Sequence, residues 1–152
     1  MRVELLADHL DALPQLAELF MAEWAPYYGP NGPGNALADL KSRCRRDTIP
    51  IGLVAIDAFE ILGTVAIDRD PTTQLEPSIV GLLVLPDRRG EGVATALLQA
   101  AATLAKTIGY PRIHTSTALP YMWDALQSKG WRRTGEVEYL NGEHGQVFEL
   151  EL

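Results

Sequence analysis

Residues 78 to 85, Ser-Ile-Val-Gly-Leu-Leu-Val-Leu, form an apolar run that a two-glycine turn joins to a long Ala/Leu-rich stretch from Gly92 to Ile108. The run is apolar on both faces, as a central strand covered by helices should be. The stretch after it reads as a helix, ended by Gly109-Tyr110-Pro111. A strand that passes through a tight turn straight into a helix exposes there the helix's first N–H groups, which have no intrahelical partner. Gly90 and Gly92 let backbone approach a ligand without side-chain obstruction, and Arg88 and Arg89 supply charge. The helix dipole adds roughly 1 kcal/mol for a phosphate. The segment therefore reads as an anion cradle, although on composition alone a glycine turn flanked by solvated arginines describes it equally well. Two nucleotide-binding readings fail. A P-loop needs Gly-Lys-Ser/Thr, and a dinucleotide fold needs a third glycine three residues after Gly92, where Thr95 stands.

The flanking sequence supplies the rest of a mixed α/β (α+β) fold. Arg2 to Leu6 reads as a first strand, and Leu13, Leu16, Phe20 and Trp24 recur at helical spacing. Pro14 fits that helix's first turn and Pro26 stops it. Tyr27 to Asn35 is rich in Gly and Pro and reads as a loop, after which Asn35 caps a helix from Ala36 to about Arg46. That helix buries Leu37, Leu40 and Cys44 and turns Lys41, Arg43, Arg45 and Arg46 to water. Ile51 to Asp57 and Ile61 to Asp68 read as an antiparallel hairpin. Arg112 to Thr117 is a strand, Tyr121 to Lys129 a helix, and Trp131 to Tyr139 a strand that Asn141-Gly142 turns into a last strand ending at Leu152. The order is β-α-α-β-β-β-α-β-α-β-β, seven strands and about four helices, read as a single domain over 1–152.

Composition narrows the function. A chain of 152 residues buries roughly 70% of the surface it exposes when unfolded, so it needs no disulfide or structural metal, and Cys44 has no partner. Three scattered histidines, His9, His114 and His144, without HxxxH spacing give no expectation of a metal site. No apolar stretch approaches the 18 or so residues that span a bilayer, and no basic-then-apolar leader is present, so the expectation is a cytoplasmic protein with no membrane partner. A net charge of −7 argues against nucleic acid and mildly favours cationic ligands.

Arg89-Gly90-Glu91-Gly92-Val93-Ala94 resembles the Arg/Gln-x-x-Gly-x-Gly/Ala signature of the GNAT superfamily of acetyl-CoA-dependent N-acetyltransferases, in that family's strand-turn-helix setting. Lys129-Gly130-Trp131 resembles its Lys-x-Gly-Phe/Trp region, and the element order matches over essentially the whole chain. The resemblance implies a mainly antiparallel sheet with strands 4 and 5 splayed into a cleft. It implies that the backbone of Arg88, Arg89, Gly90, Glu91, Gly92, Val93, Ala94 and Thr95 holds the pyrophosphate of acetyl-CoA. The pantetheine arm would run beside Leu82, Leu83 and Val84 as an added strand. A bulge there would aim an N–H of Leu82 or Leu83 at the thioester carbonyl, a contact whose loss costs roughly 3 kcal/mol of barrier.

For the general base, the family often places a Glu near the start of its fourth strand. Ser78 holds that position here, which leaves Glu76 as first candidate, Asp68 as second, and His114 acting through water as a third. Many relatives carry a Tyr four residues before the Gly of the Lys-x-Gly region, where it protonates the departing thiolate. Leu126 stands there, and the one phenol on that helix is that of Tyr121, five residues upstream. A thiol pKa near about 8.5 lets the thiolate leave without a strong acid. The acceptor walls would be Glu23, Trp24, Tyr27 and Tyr28 on one side and Tyr139 to Gln146 on the other, with cation–π contact and the Glu23 charge receiving an amine. Two functions follow: an N-acetyltransferase acting on a small-molecule amine, or on a peptide or protein amine, and a coenzyme A-binding regulatory module without turnover. A homodimer through the C-terminal strands is a further implication of the resemblance.

Overall fold

A computed structural model describes all residues from Met1 to Leu152. Its strands are β1 (Arg2–Leu5), β2 (Ile51–Asp57), β3 (Glu60–Asp68), β4 (Ser78–Val84), β5 (Arg112–Thr117), β6 (Arg132–Glu138) and β7 (His144–Glu151). Its helices are α1 (Leu13–Glu23), α2 (Ala25–Tyr28), α3 (Ala36–Ser42), α4 (Val93–Thr107) and α5 (Pro120–Ser128). The strands form one sheet in the order β1-β2-β3-β4-β5-β7-β6, antiparallel throughout except between β4 and β5. No helix is long and apolar enough to cross a membrane.

β2 shows why the sheet is covered on both faces. Its residues alternate between two cores: Leu53 and Ala55 pack with Leu97, Ala101 and Ala105 of α4, whereas Val54 and Ile56 pack with Leu16 and Phe20 of α1 and Leu40 of α3. The small residues Ala101 and Ala105 bring α4 close to the sheet. Each fully buried Leu or Phe side chain contributes about 1.5–3 kcal/mol relative to exposure.

Three local expectations are corrected. Pro26 does not end helical structure; it occupies the first turn of α2, so Tyr27 and Tyr28 are helical and the molecule has five helices. α3 stops at Ser42, short of Arg46, because the Arg43 carbonyl leaves the helix to accept the Gly52 N–H at 2.7 Å and lead the chain into β2. Leu37 is consequently exposed rather than buried, and Cys44 lies past the helix end, half-buried, with its thiol directed at the Leu40 carbonyl. The Asn35 cap is present, its side-chain oxygen accepting from the Ala38 N–H at 3.0 Å.

The sheet opens where the cleft was expected. β4 and β5 register at a single pair, Ser78↔His114, supported by the His114 N–H donating to the Pro77 carbonyl at 2.9 Å. Beyond it the strands diverge. On its other edge β4 carries a bulge, since pairing passes from Thr64↔Leu83 to Ala66↔Val80, three steps on β4 against two on β3. Gly81, with φ +61°, supplies the left-handed conformation this needs.

Candidate active site

The divergence of β4 and β5 creates a cavity of about 980 Å³. The turn between β4 and α4 lines one end. Gly90 and Gly92 have φ of +81° and +84°, and a Cβ added at either would meet nothing within 4 Å, so the turn presents bare backbone to open space. Gly92 precedes α4 without a side-chain cap. The amides from Gly90 through Thr95 donate to no backbone or side-chain acceptor in the protein; the first bond of the helix is Ala96 N–H to the Gly92 carbonyl at 3.1 Å. Unpaired amides at a helix N-terminus are the groups that an anion can satisfy.

The flanking arginines have structural duties. Arg88 meets Glu60 at 2.7 Å, Glu91 at 3.3 Å and Asp57 at 3.5 Å, which ties the turn to the β2–β3 hairpin. Arg89 donates through Nε to the Val84 carbonyl at 3.1 Å and through Nη2 to Glu23 at 3.2 Å, which ties it to α1. Glu23 is therefore engaged by Arg89. It lines the cavity as expected, with its carboxylate paired to the cradle's Arg89 rather than free.

Leu82, Leu83 and Val84 line the cavity along β4, while the Leu83 side chain is buried in the core beneath α1 and α3. What this strand offers a ligand is therefore main chain. Val93, Ala94 and Thr95 line the cavity at the helix start, and Glu91 faces Arg88 outside it.

The opposite wall is aromatic. Trp24, Tyr27 and Tyr28 all line the cavity and form a cluster with Phe20, with centroid separations from 4.7 Å for Tyr27–Tyr28 to 6.4 Å for Trp24–Tyr28. Both tyrosine rings crowd Gly34, which fixes the loop after α2. The Tyr28 hydroxyl donates to Asp39 at 2.6 Å; burial and then this contact push the phenol well above its ordinary value, so it stays a neutral donor. On the far side Tyr139 lines the cavity and donates to Ser116 of β5 at 2.8 Å, and burial raises its phenol as well.

The candidate proton-transfer groups are not equally placed. Glu76 is exposed on the loop before β4 and does not line the cavity, whereas Asp68, at the end of β3 opposite Ser78, does. Asp68 Oδ1 accepts the Arg69 N–H at 2.7 Å. His114 is buried beside Glu149, 3.8 Å away, and does not line the cavity. Tyr121 stands at the rim, 68% exposed, while Leu126 packs in the core at 1%. Sequence reasoning missed Arg43, assigned there to a solvated helix face. It lines the cavity because α3 ends one residue earlier, a change of direction that no local sequence signal announced.

The architecture is a mixed sheet splayed beside unpaired amides at a helix N-terminus. Solved structures share the fold. A crystal structure of aminoglycoside 6'-acetyltransferase type Ii superposes with TM-score 0.78 at 16% identity, over 99% of this chain and 97% of that one. An aminoglycoside 6'-N-acetyltransferase complexed with coenzyme A gives 0.78 at 13% over the same shares. The GNAT domain of S. lividans PAT gives 0.71 at 22%, over 99% of this chain and 90% of that domain. No curated protein sequence matches the chain. The model of the Acetyltransferase (GNAT) family matches residues 13–122, and the chain belongs to that family.

Proposed function

We propose that this protein transfers the acetyl group of acetyl-CoA to the primary amine of a small molecule. The observation that carries the reading is the set of amides from Gly90 through Thr95, unpaired and bare, at the mouth of the splay. They receive the coenzyme A pyrophosphate. The pantetheine arm then lies along Leu82, Leu83 and Val84 and pairs with main chain that β5 has left free, a form of strand addition. The bulge at Gly81 and Leu82 supplies the N–H that meets the thioester oxygen as negative charge develops there.

Attack by the amine forms a C–N bond, breaks the C–S bond and releases a proton. An alkyl ammonium with pKa about 10.4 is neutral in only about one molecule in 2500 at pH 7, a cost near 4.6 kcal/mol, so a base is needed. Asp68 takes this role, directly or through water, because it lines the cavity and Glu76 does not. The thiolate leaves on its own stability, with Tyr121 too exposed at the rim to be a positioned acid. A small acceptor is supported by the confined aromatic wall and by the fold shared with aminoglycoside acetyltransferases.

Thiol release from acetyl-CoA across a panel of small amines and peptides tests the proposal. Turnover on small amines is expected. Coenzyme A binding without release from any acceptor would instead identify a regulatory module.

A further inference from the structure

Four arginines line the cleft, and they differ in how they are engaged. Arg88 and Arg89 are held by carboxylates, and Arg69 is exposed at the edge. Arg43 is half-buried on the acceptor side, beneath the aromatic wall, and its guanidinium makes no ion pair and no hydrogen bond. It is nevertheless well positioned. Its Cζ lies 5.7 Å from the Phe20 ring centroid, and Nη1 lies 2.6 Å from where a Cβ on Gly81 would be, so the guanidinium rests on the bare backbone of the β4 bulge. Asp39, one turn earlier on α3, makes no ion pair with Arg43 and accepts the Tyr28 hydroxyl through Oδ2. A cation held against an aromatic face, partly desolvated and with its donor fork unfilled, is an oxyanion receptor.

We infer that Arg43 binds an oxyanion, a carboxylate or a phosphate ester, carried by the amine-bearing acceptor. This deepens the proposed transferase function and rests on it. The substrate class is then an amino acid or a similar zwitterion, whose amine lies near the thioester at Leu82 and Leu83 while its anionic group lies on Arg43. The inference runs against the overall charge: although the chain carries −7, the charged side chain set against the bulge at Gly81 is the unpaired Arg43. On this wall Glu23 pairs with Arg89 and Asp39 accepts the Tyr28 hydroxyl, while the unpaired carboxylates of the cleft, Asp68 and Asp70, lie at the end of β3 and on the loop after it, where they would face the amine of such an acceptor. A purely polycationic acceptor would meet Arg43 unpaired and like-charged.

The test uses matched acceptors that differ only in the anion: α-amino acids, β-alanine and 4-aminobutyrate against their carboxamides, and aminoethyl phosphate against ethanolamine. For the wild-type protein, kcat/KM is expected to favour the anionic member of at least one pair by 10- to 100-fold, the range of a charge-assisted pair. The pair preferred separates carboxylate from phosphate. In Arg43→Gln, with folding checked by circular dichroism, that ratio should fall to about one, and Arg43→Lys should restore part of it. Equal use of both members of every pair, or a preference that survives Arg43→Gln, overturns the assignment. Equilibrium binding of the N-acetylated acids and N-acetylated amides to the coenzyme A-saturated protein reads the same ratio without turnover. An acid preference lost in Arg43→Gln, with no transfer to any amine, would reject the transferase and keep the anion site. No acid preference in binding or turnover would reject the anion site whatever becomes of catalysis.

Discussion

At Gly92 the constraint is conformational. With φ +84° and no neighbour within 4 Å of a Cβ, the position tolerates volume and resists a β-branched backbone. Gly92→Val should therefore pull the turn out of its left-handed conformation and misalign the amides that follow. Calorimetry is expected to show coenzyme A binding weakened more than tenfold, about 1.4 kcal/mol, in a variant whose circular dichroism remains native. Unchanged affinity would move the pyrophosphate elsewhere. Asp68 and Glu76 make a second residue-scale contrast. Asp68→Asn should lower kcat by about 100-fold with coenzyme A affinity kept, whereas Glu76→Gln should leave kcat within about twofold; the reverse ranking would mean that the loop before β4 folds over the acceptor. These side chains also mark what sequence made legible. The cradle was readable because glycine spacing at a strand-to-helix junction is local chemistry. The ranking of Glu76 and Asp68 was not, because whether a carboxylate on β3 or on the following loop lines the cleft depends on where the bulge and the splay fall. Glu23 lines the cavity as expected, but its pairing was not legible, since its partner Arg89 lies far along the chain.

Elements were legible to the extent that their period was. All seven strands stand in the expected order, because β-branched runs bounded by turn residues leave little choice. The errors sit at helix ends, where a tertiary hydrogen bond to β2 ended α3 and a proline began α2 rather than ending α1. The splay of β4 and β5 was implied by family likeness and not by any residue pattern; the single pair Ser78↔His114 is what the structure adds there. His114 is 9% exposed, and burial, with a smaller contribution from Arg112, holds its pKa below the ordinary value against the opposing pull of Glu149. Between that lowered value and the unfolded value of about 6.5 the unfolded chain binds more protons than the folded one, so stability rises with pH in this window and falls on acidification. Denaturant melts at pH 7.5 and pH 5.5 should show a smaller loss on acidification for His114→Gln than for the wild-type protein. An equal loss would assign the acid sensitivity to carboxylates elsewhere and leave the junction insensitive to protonation.

Taken whole, the molecule is two sheet segments, β1–β4 and β5–β7, joined by one strand pair and by α4, which packs on β2, β3, β4 and β5. The two cores lie on opposite faces of the sheet, and only the core under α4 reaches residues of both segments, with Val65 and Ile67 on one and Ile113 and Phe148 on the other. Hydrogen bonds that a continuous sheet would make between Val80–Val84 and Thr115–Thr117 are missing, and under the proposed function the pantetheine arm would replace part of them. Coenzyme A should therefore act as a mechanical link as well as a bound substrate. At a concentration of 100 times its Kd it adds about 2.7 kcal/mol of stability by mass action, which for a chain of this size raises Tm by roughly 5–10 °C. Mass action alone does not say where the protection appears. If the pantetheine arm pairs with β4 between the diverging strands, amide hydrogen exchange should slow in the cradle and also along β4 and the facing stretch of β5. Slowing restricted to Gly90–Thr95 would mean that the phosphates dock while the arm stays outside the sheet, and the proposed route to the acceptor site would fail.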